Sequence, residues 1–111
     1  ASHRRGIEVQ VLRAPGDSTS ADANQVVNLF VARLVNKTDD DVGIRLRQRP
    51  GWSFVTPIDP WPVVAGGTAT MTIFVRRARA DFRPGERVAL VFETNGREVQ
   101  RQTVTLLGPQ Q

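Results

Sequence analysis

Apolar and polar side chains alternate with a period of two along most of this chain, and no segment sustains an apolar repeat at helical spacing. A strand sends successive side chains to opposite faces, so such a chain folds by burying one face of each strand against a second sheet. Ile7, Val9 and Val11 alternate with Glu8, Gln10 and Leu12, which predicts a first strand over 6–13. Ala14-Pro15-Gly16 ends it, and the polar stretch 17–24 reads as a loop. The second strand, 25–36, carries Phe30, Ala32 and Leu34 on one face together with Asn28 and Asn36, and Leu29, Val31 and Val35 on the other. Two apolar faces predict a central place in a sheet. Residues 37–41 read as a tight polar turn leading, as a hairpin, into a third strand over 42–48, where Val42, Ile44 and Leu46 alternate with Gly43, Arg45 and Arg47.

Between Arg49 and Pro62 stand Pro50, Pro57, Pro60 and Pro62 with both tryptophans. Proline gives no N–H to a ladder, so this stretch is expected to be irregular, with a short edge strand over 53–56. Val63-Val64 pairs briefly. The strand 68–77 sets Met71, Ile73 and Val75 against Thr70, Thr72 and Phe74, and 80–86 turns a corner through Pro84-Gly85. Val88, Leu90 and Phe92 mark the sixth strand. Asn95-Gly96 is a strong hairpin signal, because both residues tolerate positive φ, and the last strand covers 97–107. Seven strands at roughly ten-residue spacing predict an all-β, immunoglobulin-like or fibronectin-III-like antiparallel β-sandwich. At 111 residues the chain is one domain: a sandwich over 6–108, a disordered N-terminal segment or tag remnant over 1–5, and a disordered tail over 109–111.

Composition narrows function mainly by exclusion. Cysteine is absent, which rules out disulfides, thiolate metal sites, iron–sulfur ligation and thiol catalysis within the chain. No run approaches the ~20 apolar residues of a membrane-spanning helix. Fourteen arginines and one lysine face eleven acids, a net charge of +4. That balance suits an anionic partner. The arginines are spread along the chain and interleaved with acids, however, so nucleic-acid binding is not expected.

Catalysis needs a positioned nucleophile, a base of suitable pKa or a metal. The one histidine is His3, near the N-terminus, and there is no tyrosine. The sequence therefore predicts no enzyme and no cofactor in this chain. Asp39-Asp40-Asp41 offers carboxylates to Ca²⁺, but consecutive residues cannot all point at one ion and no spaced ligands follow, so a solvated turn is the better account. His3 and Met71 are too far apart to argue for copper, and Met71 reads as core. Arg45, Arg47 and Arg49 line one face of the third strand, available to an anionic partner or simply opposed by acids. Arg76, Arg77 and Arg79 form a second basic group with the same two readings. Trp52, Phe54 and Trp61 either cap one end of the core or form an exposed aromatic patch for a protein or a sugar. The candidate partner-binding residues are accordingly Trp52, Trp61, Arg45 and Arg47.

The run Ile7-Glu-Val-Gln-Val-Leu-Arg13, followed after a loop by Asn28-Leu-Phe-Val-Ala-Arg-Leu-Val-Asn-Lys-Thr38, resembles the C-terminal immunoglobulin-like domain of the FixG/CcoG family. In that family a strand reading Asn-x-Tyr-x-Leu-x-Ile-x-Asn-Lys follows, and Asn28, Phe30, Ala32, Leu34, Asn36 and Lys37 stand at the matching places. Arg49-Pro50-Gly51-Trp52, Val64-Ala65-Gly66 and Thr72-Ile-Phe-Val75 are similar in type and order. Ala14-Pro15-Gly16 and Asp22-Ala23-Asn24 depart from the pattern, as does Phe30 in place of tyrosine.

The resemblance implies an accessory domain of a membrane-bound, ferredoxin-like iron–sulfur protein that serves assembly of cbb3-type cytochrome oxidase and copper handling. Such a domain would be periplasmic or otherwise extracytoplasmic. It would meet a protein partner and touch the membrane only through a preceding part of its parent. Arg4 and Arg5 run against this placement, since basic residues beside a span favour the cytoplasmic side. The alternative is a sandwich module of a secreted or cell-surface protein, binding protein or carbohydrate through Trp52 and Trp61.

Overall fold

In the computed structural model, which describes residues 6–16 and 19–108, every regular element is a strand. The expectations placed on residues 1–5 (His3, Arg4 and Arg5 among them), on 17–18 and on 109–111 lie outside the described residues. The strands are β1 (Ile7–Arg13), β2 (Thr19–Ala21), β3 (Gln25–Asn36), β4 (Val42–Leu46), β5 (Trp52–Val55), β6 (Trp61–Val63), β7 (Thr68–Ala78), β8 (Arg87–Thr94) and β9 (Arg97–Thr105). They form two antiparallel sheets. The first runs β1-β3-β7-β5, with β2 also paired to β3, and the second runs β6-β4-β8-β9.

The central position expected of β3 is what forms. One edge of β3 pairs with β1 and β2, and the other pairs with β7 along eleven register positions from Gln25↔Ala78 to Val35↔Thr68. Its inward residues Phe30, Ala32 and Leu34 meet Met71, Ile73 and Val75 of β7, and Ile44, Leu90 and Phe92 close the core from the second sheet. Burying side chains of this size stabilises by about 1.5–3 kcal/mol each, which offsets the ordering of the chain.

The structure has nine strands where seven were expected, and it departs from the sequence expectation most at two places. The loop read over 17–24 contains β2, whose Thr19, Ser20 and Ala21 pair with Asn28, Val27 and Val26. Pro15 and Gly16 interrupt the edge strand, and pairing with β3 resumes beyond them; a three-residue polar strand has no apolar alternation to reveal it. The hairpin expected between the second and third strands does not exist either. β3 belongs to the first sheet and β4 to the second, so residues 37–41 carry the chain across the sandwich.

Asn36 explains that crossing. It is fully buried, and its Nδ2 donates to the carbonyls of Asp40 (2.8 Å), Val63 (3.1 Å) and Val64 (3.1 Å). Its Oδ1 accepts from the Thr38 N–H (3.0 Å) and hydroxyl (2.6 Å). One side chain thus folds the turn back and ties β3 to β6 in the opposite sheet. At the other end of β3, fully buried Asn28 does the same work. Its Oδ1 accepts from Arg13 Nη1 (2.8 Å) and the Leu107 N–H (2.9 Å), and its Nδ2 donates to the Leu107 carbonyl (3.0 Å). Among the described residues, no buried side-chain nitrogen or oxygen lacks a partner. The described residues thus close one core.

The β8–β9 hairpin turns on Asn95 (φ 51°) and Gly96 (φ 77°), as the dipeptide requires. Two register positions further on, a bulge opposite Phe92 and Glu93 inserts one extra residue, Val99, into β9. Phe92 then pairs with Gln100 and Val91 with Arg101.

Candidate functional site

Each strand of the second sheet buries alternate residues, so the others stand on an outer face. On β4 this is Arg45, with Arg47 and Arg49 beyond the strand end. On β8 they are Arg87, Ala89, Val91 and Glu93, because Val88, Leu90 and Phe92 are buried. On β9 the bulge brings Arg101 opposite Val91 and Thr103 opposite Ala89. The result is a face rich in arginine with a narrow apolar floor.

Acids answer part of that charge. Arg45 Nε donates to Asp59 Oδ1 at 3.0 Å, with both groups well exposed. Arg47 Nε bonds Glu93 Oε2, and Arg47 Nη1 lies 3.8 Å from Glu98 Oε1. Arg101 holds Glu98 through two bonds of 3.0 and 2.9 Å. Those bonds from Arg101 push the Glu98 carboxyl below its ordinary value, and the same contact pushes the Arg101 guanidinium up. The candidate pair Arg45 and Arg47 therefore stands together on one face, partly neutralised. Exposed pairs of this kind contribute little to stability, because water screens them.

The second basic group does not converge. Arg76 points outward from β7, Arg79 donates to the Asp22 carbonyl at 2.9 Å, and Arg77 points inward. Arg77 forms a half-buried ion pair with Glu86 (2.9 Å), donates to the Gly51 carbonyl (2.8 Å), and lays its guanidinium over the Trp52 ring at 4.3 Å. This is a structural clamp and not a solvated patch.

The tryptophans likewise separate. Trp52 stands at the end of β5 in the first sheet, stacked on Phe54 at 6.3 Å, with Arg77 over its ring. Trp61 stands on β6 in the second sheet, opposite Ile44. Both are half-buried against the core, and Phe54 is buried. Among the described aromatics the only ring pair is Trp52–Phe54, so no shared aromatic platform joins the two tryptophans.

Of the aspartate cluster, Asp41 Oδ1 accepts the Ala65 N–H at 2.8 Å and the Asp40 carbonyl is held by Asn36 and Thr38. No group of three potential metal ligands gathers among the described residues. A cleft of about 460 Å³ between β1 and β9 is lined by Glu8, Val9, Gln10, Arg33, Val35 and Gln100. Of its polar groups, Glu8 pairs with Lys37 and Gln100 donates to the Ile7 carbonyl. A smaller groove of about 180 Å³ lies on the arginine face, between Arg47, Gln48, Arg49 and Pro50 on one side and Arg101 on the other, floored by Ala89 and Val91. Chemistry favours the smaller groove, which three cations border.

Sequence reasoning missed Arg87 and Arg101 as members of this face. Arg87 was legible from the alternation of Val88, Leu90 and Phe92. Arg101 was not, because an unbulged Asn95-Gly96 hairpin would place it opposite Leu90, facing inward.

Two antiparallel sheets packed on one core, without a helix among the described residues, make this an immunoglobulin-like β-sandwich module. The family model described as "IG-like fold at C-terminal of FixG, putative oxidoreductase" matches residues 1–109, and the chain belongs to that family. The resemblance read from Ile7–Arg13 and Asn28–Thr38 is borne out, over more of the chain than those motifs cover. No curated protein and no solved structure matches the chain.

Proposed function

We infer that this chain is a non-catalytic, extracytoplasmic docking module of a membrane-bound iron–sulfur protein that serves cytochrome oxidase assembly and copper handling. The family match over residues 1–109 carries this reading. The side chains are consistent with it: the buried polar groups are spent on tying the two sheets together, and the exposed chemistry is arginine and carboxylate on rigid strands. Such a surface positions a partner; it does not make or break bonds. Redox chemistry belongs to other parts of the parent protein.

The direct check is the coding sequence upstream of Ala1 in the source genome. Several apolar spans together with cysteine clusters at ferredoxin spacing are expected. A secretion signal alone, or an unrelated catalytic domain, would overturn the reading.

A further inference from the structure

Two arginines on the outer face of the second sheet, Arg49 and Arg87, make no ion pair with any described residue. Their neighbours Arg47 and Arg101 share Glu93 and Glu98 between them. Four cations therefore meet two carboxylates, and both carboxylates lie toward the Asn95-Gly96 turn. The opposite half of the face is left basic around the Ala89–Val91 floor and Pro50. We propose that this basic half, Arg47, Arg49, Arg87 and Arg101 about an apolar floor, docks an acidic, extended segment of a protein partner. The inference rests on the docking reading given above and names its surface and the chemistry of its partner.

Charge complementarity selects the occupant. Guanidinium groups bind carboxylates in bidentate geometry, and those without internal partners are free to do so without first breaking a bond. A floor of alanine, valine and proline suits the aliphatic parts of a peptide that alternates acidic and apolar residues. Nucleic acid fits less well. Glu93 and Glu98 stand in the path of a continuous phosphate backbone, and no aromatic ring lines the groove for base stacking. A lipid surface would seek a broad cationic plane, and here acids interrupt it.

The test uses the 111-residue chain, whose described residues close one core with every buried polar side chain satisfied. An eight-residue peptide alternating glutamate with valine or alanine is titrated against the ¹⁵N-labelled domain. A lysine version of the peptide, a twelve-nucleotide oligo-dT and phosphatidylglycerol vesicles serve as comparisons. Amide shifts at Arg47, Arg49, Ala89, Val91 and Arg101 with the acidic peptide alone are expected. Binding should weaken at least tenfold in the Arg49→Ser/Arg87→Ser variant, in which no internal ion pair is lost. Arg33→Ser/Arg76→Ser removes the same charge from the first sheet and should leave binding unchanged. Equal weakening in both variants, shifts centred elsewhere, or tighter binding of oligo-dT or vesicles would overturn the proposal.

Introduced into the parent protein, Arg49→Ser/Arg87→Ser should lower oxidase assembly. If assembly persists in that variant but fails when the whole domain is removed, the surface is wrong and the docking reading stands. If removing the domain changes nothing, the docking reading itself fails.

Discussion

Replacing Asn36 by alanine tests the idea that a single buried amide holds the two sheets in register. The Asn36 amide supplies two N–H groups to three carbonyls, and its oxygen accepts two bonds from Thr38. Alanine leaves the Val63 carbonyl buried without its side-chain donor, a loss of about 2 kcal/mol, and removes the Thr38 anchor, about 1 kcal/mol more. The remaining carbonyls are partly exposed and can turn to water. The sum, about 3 kcal/mol, is a large share of the ~5–15 kcal/mol typical of a whole domain. With a urea slope of about 1.5 kcal/mol per M, the unfolding midpoint should fall by about 2 M. Asn36→Asp keeps the shape and removes both donors, so at neutral pH it should cost at least as much. Part of that loss should return in acid, when the buried carboxyl takes up a proton and regains one O–H donor. A midpoint shift below about 0.5 M for Asn36→Ala, or an Asn36→Asp protein as stable as the parent at neutral pH, would refute the reasoning.

Arg77→Met should cost about 2 kcal/mol in urea unfolding, because it strands the half-buried Glu86 carboxylate; adding Glu86→Gln should recover much of the loss. In the single variant Trp52 also loses its guanidinium cover, so acrylamide should quench its fluorescence more strongly. Gly43→Ala places a Cβ 2.9 Å from the Pro60 Cβ, and the overpacking should lower stability by about 1–2 kcal/mol with a shift in Trp61 emission. Asp22 Oδ1 accepts the N–H groups of Asn24 (2.7 Å) and Gln25 (2.9 Å), and these bonds hold its carboxyl below the ordinary value. Its folded pKa is thus below its unfolded one, so the stabilisation is present above the unfolded value of about 3.9 and is lost as pH falls through the folded value. In thermal melts, the gap between the unaltered domain and Asp22→Ala should be constant near neutrality and close in acid.

What the sequence made legible follows from how each feature is encoded. Period-two alternation identified the main strands, because burial on one face is written into every second residue. The same alternation placed Asn28 and Asn36 on the core face but said nothing of their partners, which lie up to 79 residues away. Sheet membership was not legible at residues 37–41: a polar turn reads alike whether the next strand pairs with the last or crosses to the other layer. β2 was hidden by its polar composition. The arginines at and beyond β4 were visible as a cationic row, but their ion pairs depend on Glu93 and Glu98 of a later hairpin, and Arg101 joins them only through a bulge that the hairpin dipeptide does not announce. Trp52 and Trp61 read as neighbours because prolines gather them in sequence, whereas their strands belong to different sheets.

The most direct measurement is made in the source organism, with codons 6–108 removed in frame from the parent gene. Oxidase activity and the haem spectrum of isolated membranes are then compared with the unaltered strain at matched parent-protein levels. Loss of assembled oxidase, with the parent's iron–sulfur content unchanged, is the result expected of a docking module that carries no redox chemistry. Unaltered oxidase would contradict it, as would loss of the iron–sulfur clusters along with the domain.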